Sequence, residues 1–107
     1  MSIPFEFVYA AAEEFDGLAK VDPSLQRELN ELRRRVCRDP LHPPPPPVVK
    51  RLVHHPGFWR VKFGVRPGYP LGWRAIYRFD NAKVEFWVIG PRGTVYRRFE
   101  GMHTRAL

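Results

Sequence analysis

Apolar residues are spaced in two different ways along this chain. In the first forty residues they mostly recur three and four apart, and from about residue 56 they mostly alternate with polar ones. Ile3, Phe5, Phe7 and Tyr9 share one face of an alternating stretch, which predicts a short first strand over Ile3–Tyr9. Ala10–Phe15 favours helix, and Ala11, Phe15 and Leu18 form one apolar stripe, so a short helix follows, weakened at Gly17. Asp22-Pro23 is a helix start, an acid at the N-cap and proline at the first helical position. Leu25, Leu29, Leu32 and Val36 then line one face, and Asp39-Pro40 ends the helix. A connection of about three residues makes the two helices an antiparallel hairpin.

The second half reads as strands. Trp59, Val61 and Phe63 alternate with Arg60 and Lys62, and Trp73, Ala75, Tyr77 and Phe79 alternate with Arg74, Ile76 and Arg78. Lys83–Ile89 is nearly all apolar, as a strand covered on both faces would be. Thr94–Phe99 is expected as a last strand, and Gly101–Leu107 as a polar, frayed tail. Short connections imply an antiparallel meander. The expected fold is a single α+β domain over residues 1–107, ordered β-α-α-β-β-β-β, with the helical hairpin packed on one face of a twisted antiparallel sheet. Pro43–Pro47 is read as a polyproline II strut inside that domain, with an aromatic-groove ligand as the other use of such a run.

Length and composition agree with one core. The chain has 107 residues, and 14 % of them are aromatic, too many for wholesale disorder. No apolar run is long enough for a membrane span, and residues 1–6 lack a secretory pattern. A single cysteine, Cys37, permits no disulfide within the chain, and points to a cytoplasmic protein. Charge changes the picture more. The net is +7, but residues 1–32 carry −5 and residues 33–107 carry +12. A basic half interleaved with aromatics suits a polyanion, most simply nucleic acid.

The chemistry is expected on the sheet face away from the hairpin. That face collects Arg60, Lys62 and Arg74, with Arg92 and Tyr96 entering from the last turn and strand. Like charges on neighbouring strands repel, and an anionic ligand removes the conflict. Other constellations are weaker. His54 and His55 are adjacent, so in a strand they point to opposite faces. The four His and one Cys lack zinc spacing, and no glycine-rich strand-to-helix loop cradles a phosphate. Glu13, Glu14 and Asp16 read as a solvated face, and Cys37 as a small buried hydrophobe.

Four segments, taken in order, resemble the RelE/ParE toxin superfamily. They are Lys50-Arg51-Leu52, Gly57–Phe63 (GFWRVKF), Gly72–Asp80 (GWRAIYRFD) and Val88–Tyr96 (VIGPRGTVY). The N-terminal strand and hairpin, with Glu14-Phe15 and Leu18, also look like that family. The resemblance implies a toxin of a toxin–antitoxin pair, held in check by an acidic antitoxin. Its RelE-like members cut mRNA on the ribosome: the 2′-hydroxyl attacks the adjacent phosphate, without metal or cofactor. The resemblance carries the family's catalytic positions to Arg60, Lys62, Arg74, Arg92 and Tyr96. Lys50, Arg51, Arg78, Arg97 and Arg98 are expected to hold the RNA backbone. Arg60 stands where the ribosome-dependent members have lysine, and arginine cannot act as a base. Two further readings keep the fold: a ParE-like inhibitor that binds DNA gyrase, and a repurposed member that binds nucleic acid or a partner without catalysis.

Overall fold

A computed structural model describes residues 2–106. In chain order it has β1 (Phe5–Phe7), α1 (Ala11–Val21), α2 (Pro23–Arg38), β2 (Val49–Arg51), β3 (Phe58–Phe63), β4 (Trp73–Phe79), β5 (Val84–Pro91) and α3 (Arg92–Ala106). The class is α+β. The five strands form one sheet in the order β1-β5-β4-β3-β2. The sheet is mixed: β2 to β5 are antiparallel, but β1 lies parallel to β5. The antiparallel expectation fails at β1 because its chain leaves through the helical hairpin and returns at the far edge.

The hairpin forms as its sequence dictates. Asp22 alone separates the helices, and its carboxylate accepts the Ser24 N–H at 2.9 Å, with Pro23 in the first turn. Leu18, Leu25, Leu29, Val36 and Cys37 are buried against Val61, Phe63, Ala75, Tyr77 and Phe86. Removing any one of these side chains would leave a cavity that the packed neighbours fill only partly. Gly64, at φ 71°, lets the chain turn out of β3; a Cβ there would meet Leu25 at 2.6 Å. The loop it opens is tied down by Arg66, which donates to Asp22 at 2.6 Å, Ser24 at 2.7 Å and Glu28 at 3.2 Å.

Two expectations are corrected by packing. Thr94–Phe99 is not a strand but the first half of α3, and the expected frayed tail continues that helix to Ala106; Leu107 lies outside the described residues. Val95, Phe99 and Met102 fall at helical spacing. They pack on Phe58, Ile76, Trp87 and Val88, a second core on the face opposite the hairpin. A bulge makes room for it. Ile76 pairs with Val88 and Tyr77 with Phe86, so Trp87 is the extra residue, and both Trp87 and Val88 join this core.

The proline run is not a straight rod. The Pro46–Pro47 bond is cis, and Val48 N–H donates to Pro45 O at 3.1 Å, closing a turn that delivers β2 to the sheet edge. Glu14 is not on a solvated face either. Its carboxylate accepts the Ile89 N–H at 3.1 Å and pairs with Arg98, joining α1, β5 and α3. Among the described residues, no helix is long and apolar enough to cross a membrane.

Candidate functional site

Strand alternation and register put Arg60, Lys62 and Arg74 on the α3 side of the sheet. Lys62 lies opposite Arg74, and Arg60 opposite Ile76. This face is not open, as the sequence pattern suggests, because α3 covers it. Arg60 is 9 % exposed and Arg74 7 % exposed. Burying a guanidinium is costly unless its donors are used. Arg60 donates to the carbonyls of Pro47 and Val48, in the turn that ends the proline run. Arg74 donates to Leu71 O at 2.8 Å and Trp73 O at 3.1 Å. Among the described residues, neither has a carboxylate partner, and the Arg74 Nε has no partner at all. Burial pushes Arg60 below its ordinary pKa; the nearby Tyr96 opposes that shift, and Arg74 adds to it.

A cleft of about 410 Å³ opens where β2, the β2–β3 loop and α3 meet. Lys50, Arg51, Arg60 and Tyr96 line it, and so do His55 and Glu100. Of the five catalytic positions carried over by resemblance, the structure brings Arg60 and Tyr96 into this cleft. Lys62 and Arg74 lie on the same face but not in its lining. Arg92 is exposed at the start of α3, its N–H donating to Gly72 O at 3.1 Å.

The five expected RNA contacts separate in the same way. Lys50 and Arg51 are exposed at the cleft, and Arg51 lies over the Trp59 ring at 5.2 Å. Arg97 is exposed on α3, beside a second groove that Arg98 and Arg105 also line. Two of the five are committed within the fold. Arg78 pairs with Glu85 at 2.6 Å and lies over Trp87, and Arg98 pairs with Glu14.

The sequence reading missed His55 and Glu100. His54 and His55 lie in a loop, not a strand, and both line the cleft. The His55 Nε2 is 3.1 Å from a Glu100 carboxylate oxygen, and its side chain is 18 % exposed. The ring stands edge-on to Phe99 and to His103, with centroids 5.0 and 4.7 Å away. A signal was present. Tyr96, Glu100 and His103 recur at helical spacing beside the apolar Val95, Phe99 and Met102, so reading a helix there would have put all three on one flank. No protein-family model, curated protein or solved structure matches this chain.

Proposed function

We propose that this protein is a RelE-like toxin that cleaves mRNA on the ribosome by 2′-hydroxyl attack. The observation that carries the reading is the shared cleft. It holds Arg60 and Tyr96, two positions singled out by the family resemblance, and two exposed cations, Lys50 and Arg51, stand at its rim. A phosphodiester entering it meets donors for its non-bridging oxygens. Lys50, which lies opposite Arg60 on the same face, holds the flanking backbone, and Arg60, fixed by two carbonyls, presents its remaining N–H groups to the charge that grows on the phosphorane. Tyr96 stands beside Arg60, where a hydroxyl can pass a proton or a ring can stack on a base. The +12 surplus in residues 33–107 also suits an acidic antitoxin segment laid over this cleft.

The test is inducible expression with mapping of mRNA 5′ ends. New 5′-hydroxyl ends within coding sequences, and growth arrest relieved by the acidic product of a neighbouring reading frame, are expected. Tyr96→Phe keeps the ring and removes the hydroxyl, and is expected to lower cleavage by about 10²-fold or more. One observation favours a second reading, binding without catalysis: Arg60 and Arg74 both spend donors on backbone carbonyls. Growth arrest without new mRNA ends would select that reading, including its gyrase-directed form.

A further inference from the structure

The cleft contains a hydrogen-bonded imidazole–carboxylate pair that the family resemblance does not assign. Phosphodiester cleavage by a 2′-hydroxyl needs a group that accepts a proton near neutral pH. Arg60 cannot be that group, and Lys62 lies outside the lining. His55 lines the cleft and is mostly covered by Phe99 and His103, which fix its ring. A carboxylate only accepts, so Nε2–H donates to Glu100, and in the neutral ring Nδ1 is then the acceptor. This is the arrangement a general base needs: one ring nitrogen held by an acid, the other without a hydrogen-bond partner among the described residues. The charged and titratable groups around it are Glu100, His103 and Tyr96 from α3, Arg60 from β3, and Lys50 and Arg51 from β2. His54 precedes it in the loop.

Resting on the mRNA-cleavage reading, we infer that His55 is the general base of this site and Glu100 its positioning residue. His55 Nδ1 takes the proton of the 2′-hydroxyl as the 2′-oxygen bonds to phosphorus. The bond from phosphorus to the 5′-oxygen breaks, and that oxygen leaves with a proton from the Tyr96 hydroxyl, which is restored from water. The products are a 2′,3′-cyclic phosphate and a 5′-hydroxyl, and His55 returns its proton to solvent.

The experiment follows cleavage of mRNA on programmed ribosomes by the purified full chain, between pH 5 and 9. The wild-type rate is expected to rise with pH and then level, as a general base requires. His55→Gln is expected to lower kcat by about 10²–10⁴-fold and to abolish that rise, with KM little changed. Glu100→Gln is expected to lower kcat by up to about 10²-fold at unchanged KM, because the ring loses its anchor. His42→Gln, a histidine remote from the cleft, is the control and should match wild type. Circular dichroism melts establish that each variant is folded. If His55→Gln is folded and cleaves at the wild-type rate with the wild-type pH profile, the inference fails while the mRNA-cleavage reading stands. If the wild-type chain leaves ribosome-bound mRNA intact, the reading and the inference fall together.

Discussion

Tyr77 is fully buried, and among the described residues no group accepts or donates at its hydroxyl. Burial raises its pKa, and the neighbouring Cys37 adds to the shift. An unpartnered buried hydroxyl costs the fold, so Tyr77→Phe is expected to leave stability unchanged or raise it by about 1 kcal/mol, read as a Tm increase of a few degrees. A clear fall in Tm would mean that the hydroxyl is hydrogen-bonded. Arg60 and Arg74 teach a related lesson. Period-two alternation was enough to put them on one face with Lys62, and the register agrees. Alternation says nothing of what covers a face. Whether their donors would meet phosphate or carbonyl was therefore illegible until α3 and the proline turn were in place. His55 was harder still, because its partner Glu100 is 45 residues away.

At the scale of elements, the junction between α1 and α2 was the most legible part of the chain. Asp-Pro specifies a cap and a first turn through local chemistry alone, and the structure forms both. The Asp22 carboxyl is held below its ordinary pKa of 3.8, first by the Ser24 backbone N–H, then by the Ser24 hydroxyl, with Arg66 contributing. The folded state thus favours the ionised acid. Its contribution is present above the unfolded value and is lost as pH falls through the lower folded value. Asp22→Asn keeps a capping oxygen and removes the charge. It is expected to melt below wild type at pH 7, with the gap closing as pH drops below about 4. Thermal melts at pH 7, 5 and 3 measure this, and a gap that stays constant with pH would refute it. The last element was misread for an equally physical reason. Val95 and Phe99 fit an alternating strand as well as a helix over so short a run. Only Met102 and the second core decide for the helix.

For the whole molecule, the division of charge is the organising feature. Several acids of the first 32 residues are spent internally: Glu14 on Arg98, Asp22 and Glu28 on Arg66, and Glu6 on Lys83. Those pairs tie the N-terminal segment to the basic half, and Lys50, Arg51 and Arg97 remain exposed. Binding to single-stranded RNA is therefore expected to weaken steeply with salt, and Arg51→Ala to reduce the slope of log Kd against log salt by about 0.7. Titrations between 50 and 300 mM salt measure this; an unchanged slope would remove Arg51 from the interface. The amino-acid sequence by itself determined the hairpin, four of the five strands, the residues facing the first core and the charge asymmetry. Each depends on local spacing or on composition, which the chain carries whether folded or not. Tertiary structure decided the parallel partner of β1, the addition of β2 at the edge, the helical fate of the last fifteen described residues and the meeting of His55 with Glu100. Those depend on which surfaces remain to be covered once the sheet exists, and burial of Trp87, Val88 and Phe58 under α3 settles that only in three dimensions.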